Sequence, residues 1–180
     1  MSALGAVVLY ERYLPNLRVL RPGVFYRSGQ PRGIGLPVLG LMGVKTMVTL
    51  RSKMDEEAQA EAAWCRRHGV CFVRLPLKSA PEDIDAAVTE ILAIVADPRN
   101  HPILVHCARG KERSGLISAV FRMELDGWSN PKALREMYDR GLVPGSWPTF
   151  EDYVWHYDAR AVSGETHALA DGPNAASAAP

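Results

Sequence analysis

Residues 103–127 constrain this chain more than any other stretch. Ile103-Leu104-Val105-His106 is a short apolar run that reads as a buried strand. Cys107 ends it, and Ala108-Arg109-Gly110-Lys111-Glu112-Arg113 makes a polar turn with a glycine inside. From Ser114 to about Leu125 the sequence is apolar on most sides, as a central packed helix would be, and Gly127 closes it. A strand buried along its length and feeding straight into a helix belongs to a parallel sheet covered on both faces.

The rest of the chain has the matching rhythm. Val24–Arg27 reads as a strand, and Gly33, Gly35 and Pro37 open a helix to about Met42. Thr46–Leu50 is a β-branched strand. Asp55–His68 is a helix with acids early, Ala58, Ala62 and Cys65 on one face, and Gly69 at its end. Cys71–Leu75 is a further strand. Ser79-Ala80-Pro81-Glu82 has the form of a capping box. Ile84, Val88, Ile91, Leu92 and Val95 follow it at helical spacing until Asp97-Pro98. Asn130-Pro131, read as an N-cap and first-turn proline, opens a helix to Arg140. A last helix starts at Thr149, and its aromatics, with Trp147 and Trp128, are read as packing. Alternating strands and helices predict an α/β fold with a central, mostly parallel sheet flanked by helices. In such folds the site lies beyond the carboxyl ends of the strands.

The turn after Cys107 has the composition of an anion cradle. A glycine-containing loop can turn its backbone N–H groups inward, and the following helix N-terminus adds partial positive charge. Arg113 offers a planar fork for two oxygens of a phosphate. These features stabilise a thiolate on Cys107, and a thiolate beneath a bound phosphate is a nucleophile aimed at phosphorus.

His106-Cys107-x5-Arg113-Ser114-Gly115 resembles the signature loop of the cysteine-based protein tyrosine phosphatases, in its compact dual-specificity form Cys-x-x-Gly-Lys-x-Arg. Tyr26-Arg27-Ser28-Gly29-Gln30-Pro31, and Gly43-Val44-Lys45-Thr46 leading to Leu50-Arg51, look like the N-terminal half of the bacterial, plant and fungal atypical dual-specificity phosphatases. The resemblance covers residues 16–157. It implies a protein-tyrosine-phosphatase-like fold and hydrolysis of phosphotyrosine, and of phosphoserine or phosphothreonine, on proteins through a phosphocysteine. Cys107 would be the nucleophile and Arg113 the phosphoryl-binding residue. Ala108, Arg109, Gly110, Lys111 and Glu112 would bind phosphate through backbone N–H groups. Ser114 would support the leaving thiolate, and His106 would orient the loop and help depress the Cys107 pKa by hydrogen bonding. No metal or other cofactor is required, because Arg113 and the amides meet the phosphate charge.

Two alternatives keep the same loop. Arg109 and Lys111, whose side chains should flank the phosphate, also resemble loops acting on phosphoinositides or inositol polyphosphates, so a small polyanionic phosphate is the second substrate class. A phosphate-binding module without turnover is the third reading. Better-known members carry a general-acid Asp on the loop after the preceding strand, whereas Val73–Ser79 holds no acid. Glu82, Asp83 and Asp85 are nearest, and Asp85 stands where relatives of the atypical branch tend to carry an Asp. The plain reading is that first-turn acids only complement the helix dipole. Arg51 is a candidate secondary anion contact, as is Lys78; otherwise Arg51 caps the adjoining loop.

A net charge of +1 excludes a globally basic nucleic-acid binder. No apolar run approaches the roughly 20 residues of a membrane span. Three cysteines, an odd number, argue against a disulfide scaffold and for a reduced, cytoplasmic compartment. Cys65 and Cys71 are expected as small core residues; the resemblance, whose members in some cases protect the nucleophile with a second Cys, makes Cys71 a candidate for a disulfide with Cys107. The expected division is an N-terminal extension over 1–15, the phosphatase domain over 16–158, and a disordered tail over 159–180, in a monomer.

Overall fold

Four-residue strands carry the architecture of the structure, a computed structural model that describes residues 11–160. The strands are β1 (Arg18–Arg21), β2 (Phe25–Ser28), β3 (Thr46–Thr49), β4 (Cys71–Arg74) and β5 (Ile103–His106). The helices are α1 (Gly35–Leu41), α2 (Glu56–His68), α3 (Pro81–Ala96), α4 (Arg113–Asp126), α5 (Asn130–Asp139) and α6 (Pro148–Trp155). They build one five-stranded sheet in the order β1-β2-β5-β3-β4. β2, β5, β3 and β4 run parallel, and β1 is antiparallel on the β2 edge. The expected fold class is therefore found, with β1 as an addition the sequence reading did not make. Its sequence Arg-Val-Leu-Arg buries only Leu20 and leaves Val19 exposed, so it lacks the apolar run of a central strand.

β5 is the middle strand and is buried at all four positions. Side chains alternate across it. Val105, with Phe25 and Val48, enters the core formed with α3, α4, α5 and α6. Leu104, with Tyr26 and Met47, enters the core on the other face with α1 and α2. Phe25 and Phe121 of α4 stack at 4.3 Å across the first core. Because the sheet is parallel, Ser28, His106 and Thr49 form one row where β2, β5 and β3 end together. Everything described below is built on that row.

Several local expectations are corrected. Ser79 does not cap α3: the N-cap is Ala80, without a side-chain hydrogen bond, and Pro81 fixes the first turn instead. Asn130 is inside α5, whose N-cap is Ser129. Its amide is committed elsewhere, donating to the carbonyls of Val154, Trp155 and Tyr157 at 3.1, 3.1 and 2.8 Å. The buried face of α2 comprises Ala58, Glu61, Trp64 and Cys65, one position round from the expected face, with Ala62 half-buried. Trp155 is exposed, whereas Phe150 and Tyr157 are packed. Cys65 is a core residue beside Met47, with burial pushing its thiol up to about 12. Cys71 is exposed on the edge strand, not buried.

Packing also begins before residue 16. Leu14 is buried in the α1–α2 core, and the Pro15 carbonyl accepts from Gly29 N–H at 2.6 Å. The tail from 161 onward lies outside the described residues. No described helix is long and apolar enough to cross a membrane.

Asn130 gives the fold a direct test. Asn130→Ala removes the donors that join the start of α5 to the end of α6. A loss of about 1 kcal/mol in urea unfolding is expected, since three partly exposed carbonyls lose their shared donor. Asn130→Asp, which cannot donate, should do the same.

Candidate active site

The row at the ends of β2, β5 and β3 holds the loop 107–112 by backbone contacts. Cys107 N–H donates to Ser28 O at 3.4 Å, and Gln30 N–H to Ala108 O at 3.1 Å. The Asn16 side chain donates to Arg109 O at 3.0 Å. The loop carbonyls are thus turned outward. The amides of Ala108, Arg109, Lys111 and Glu112 donate to no backbone acceptor among the described residues. Unpaired N–H groups on a turn at a helix N-terminus make an anion-binding concavity.

Two glycines permit this approach. Gly110 has φ +75, and a Cβ there would collide with Gly29 N and stand 2.7 Å from Ser28 C. A Cβ on Gly29 would stand 2.9 Å from Arg109 C. Both positions therefore require glycine, one for conformation and clearance and the other for clearance alone. This explains Gly29 in the Tyr-Arg-Ser-Gly-Gln-Pro segment, where the likeness to relatives had no physical account.

The reactive group sits inside that frame. Cys107 is 2% exposed. Its Sγ accepts from Gly110 N–H at 3.2 Å and lies 3.5 Å from Ser114 Oγ, at the start of α4. The amide and the helix terminus present positive ends to the sulfur, and the Ser114 hydroxyl can donate to it. Arg113, the first residue of α4, donates through Nη1 to Leu50 O at 3.3 Å, which ties it to the end of β3. Arg109 is largely exposed and pairs with Glu112 at 2.6 Å on the outer side of the loop. The Lys111 side chain runs along Gly141, whose Cβ would stand 3.0 Å from Lys111 Cε. Loop and helix thus bring Cys107, Arg113, Ser114, Arg109, Lys111 and Glu112 together.

Other predicted residues are engaged elsewhere. Arg51 is mostly buried, bonded to Gln30 Oε1 at 2.5 Å and ion-paired with Asp55, the N-cap of α2. That is the loop-capping arrangement. Asp85 accepts from Tyr153 OH at 2.8 Å and has Arg160 at 3.7 Å, and Asp83 pairs with Lys78 at 3.5 Å. Neither carboxyl bonds the loop. Tyr153 is itself pushed up in pKa, first by burial and then by Asp85. Cys71 cannot meet Cys107. It is level with Ile103 at the opposite end of the sheet, two strands away. At about 3.3 Å per residue and 4.8 Å per strand the separation is roughly 16 Å, against about 7 Å at most for a disulfide.

Sequence reasoning missed three residues that hold the site: Asn16, the Gln30 side chain, and Glu61. Glu61 stands three residues after Ala58 and four before Cys65, so its place on the apolar face of α2 was a signal available in the sequence. No cluster of three or more His, Cys, Asp or Glu suited to a metal occurs among the described residues.

Residues 18–141 match a family model described as "Tyrosine phosphatase family". The chain is 34% identical over 128 residues to the "Dual specificity protein phosphatase TpbA" of Pseudomonas aeruginosa strain UCBPP-PA14, covering 71% of this chain and 55% of that protein. It is 32% identical over 120 residues to the "Inositol diphosphatase DSP1" of Oryza sativa subsp. japonica, covering 63% of this chain and 51% of that protein. The chain thus spans about half the length of the curated relatives it matches. A solved structure of Pseudomonas aeruginosa TpbA in complex with pTyr superimposes with a TM-score of 0.67 at 28% identity, over 79% of this chain and 85% of that one.

Gly110 is where the loop geometry is most directly testable. Gly110→Ala should keep the secondary structure by circular dichroism. Binding of vanadate or phosphate should weaken at least about tenfold, because a backbone collision cannot be relieved by a side-chain rotation.

Proposed function

The chain belongs to the tyrosine phosphatase family, and from that premise we propose that it is a cysteine-dependent phosphomonoesterase acting on phosphotyrosine, with phosphoserine and phosphothreonine as further substrates. The observation that carries the reading is the Cys107 sulfur under the Gly110 amide and the Ser114 hydroxyl, in a loop whose carbonyls are bound outward by Gln30 and Asn16.

The chemistry proceeds in two in-line displacements. The Cys107 thiolate attacks phosphorus while the loop amides and the Arg113 guanidinium bind the equatorial oxygens. The P–O ester bond breaks, and the departing oxygen takes a proton from a general acid. Water then attacks the phosphocysteine and gives its proton to the carboxylate left by that acid, the S–P bond breaks, and inorganic phosphate leaves. The Ser114 hydroxyl donates to the sulfur as it recovers its charge. Asp85 and Asp83 are the proposed acids. A general acid must come within about 3 Å of the leaving oxygen, so Asp85 has to exchange its Tyr153 contact for the substrate.

A second reading, an inositol polyphosphate as substrate, has its own support. The Oryza relative is named an inositol diphosphatase, and the exposed Arg109 and the Lys111 side chain provide cations at the loop rim.

Cys107→Ser tests the core of the proposal. Turnover should disappear while phosphate binding persists, since the amides and Arg113 remain; substantial hydrolysis by the purified variant overturns the nucleophile assignment. A panel of phosphotyrosine, phosphoserine and phosphothreonine peptides and inositol polyphosphates, compared by kcat/KM, ranks the two substrate readings. Binding without turnover across the panel would make the chain a phosphate reader. The acid has a separate test on a phenolic phosphate with a poor leaving group. Asp85→Asn should slow it by roughly 10²–10⁴-fold and remove the alkaline limb of the pH–rate profile. Asp83→Asn is the comparison, and wild-type rates in both variants exclude both residues.

A further inference from the structure

His106 precedes the proposed nucleophile and is completely buried. So is Glu61, on the face of α2 that covers this side of the sheet. His106 Nδ1 lies 3.3 Å from Cys107 O, and a carbonyl can only accept, so Nδ1 carries a hydrogen. His106 Nε2 lies 2.8 Å from Glu61 Oε1, out of line for a straight hydrogen bond, and neither atom has another partner. The two atoms stand at ion-pair distance and are sealed from water, where an imidazolium and a carboxylate would compensate each other's charge. The other carboxylate oxygen, Oε2, accepts from Gln30 Nε2 at 2.7 Å, and Gln30 Oε1 accepts from Arg51, itself paired with Asp55.

The groups facing His106 can be enumerated by element. β2 contributes Ser28 and β3 contributes Thr49, both uncharged, in the same row. α2 contributes Glu61. Beyond Gln30 the network continues to Arg51, Asp55 and Glu57, and β2 also carries the buried Arg27, level with Val105 and in electrostatic reach of Cys107 from the opposite face. Glu61 is thus the one carboxylate in contact with the ring among the described residues.

We propose that Glu61 is a positioning residue for the reaction: it holds His106 as an imidazolium with Nδ1–H fixed on the Cys107 carbonyl, and through that ring favours the Cys107 thiolate. The inference rests on the reading of Cys107 as a reactive thiolate. It deepens that reading by locating part of the charge control on a helix that touches no substrate. The direction follows from distance. The imidazolium is next to Cys107 and its carboxylate partner is on the far side of the ring, so the pair presents its positive end to the sulfur. An amide at position 61 removes that polarity at constant shape.

The test is the pH dependence of iodoacetamide labelling at Cys107, followed by peptide mass spectrometry, which needs no turnover. Glu61→Gln should move the half-labelling pH up by about one unit, the order expected for a dipole of this length at an effective dielectric near 20. In a His106→Asn background the same substitution should add nothing, because its effect runs through the ring. An unmoved profile, or an equal shift without His106, overturns the proposal while leaving the thiolate reading intact. A Cys107 that fails to label in the unsubstituted protein overturns the thiolate reading, and this inference with it. Should Glu61→Gln fail to fold, the unsubstituted protein decides by the 15N shifts of the His106 ring. Both nitrogens should be protonated at neutral pH, and a single neutral tautomer overturns the assignment.

Discussion

The close approach of two backbones, the turn at Ser28-Gly29 and the loop at Arg109-Gly110, is the contact on which the rest of the site depends. Neither glycine tolerates a Cβ. With the chains at that distance, Gln30 N–H reaches Ala108 O, Cys107 N–H reaches Ser28 O, and Gly110 N–H is left for the sulfur. A loop pinned by its carbonyls keeps its amides directed inward without reorganisation, which is what stabilisation of a phosphoryl transition state requires. The parallel pairing of β2, β5 and β3 is what brings these segments to one edge.

Buried ionisable groups stand on both faces of the sheet around this loop. On the α1–α2 face the His106–Glu61 pair is closed off from water. On the opposite face Arg27 is 2% exposed, its Nη2 has no partner, and burial pulls its pKa down to about 10. It therefore keeps its charge at neutral pH, within the electrostatic reach of Cys107. Such groups oppose stability when taken singly. Their concentration beside one cysteine is the pattern of a functional site, where environment is arranged around the charge of a reacting group.

The rim differs in kind from this frame. Arg109 is largely exposed and paired with the mostly buried Glu112, and the half-buried Lys111 side chain lies against Gly141. A pair with one partner this exposed contributes little to stability. Arg109 and Lys111 are free to meet different anions, so selectivity can change at the rim without disturbing the buried chemistry.

Much of this was legible in the sequence. The apolar run Ile103–His106, the glycine in the turn and the apolar helix after it together dictate a strand–loop–helix unit in a parallel sheet, because periodicity and backbone sterics act locally. Gly69 and Gly127 ended their helices in left-handed conformation as read. The errors fell where partners are distant along the chain. Asn130 was read as a cap because its sequence neighbours suggest one, yet its acceptors are the carbonyls of residues 154, 155 and 157. For Arg51 the sequence left an anion contact and a loop cap both open, and the partners that give the cap, Gln30 and Asp55, lie elsewhere in the chain. The sequence by itself determined the strand–loop–helix unit around Cys107, since a Cys at a strand end before a Gly turn and an Arg-headed helix is a local chemical pattern. Only the tertiary structure decided which carboxylate lies against His106 and that Cys71 stands at the far end of the sheet. Those facts depend on strand order and helix rotation, which hydrophobic burial settles for the whole chain at once.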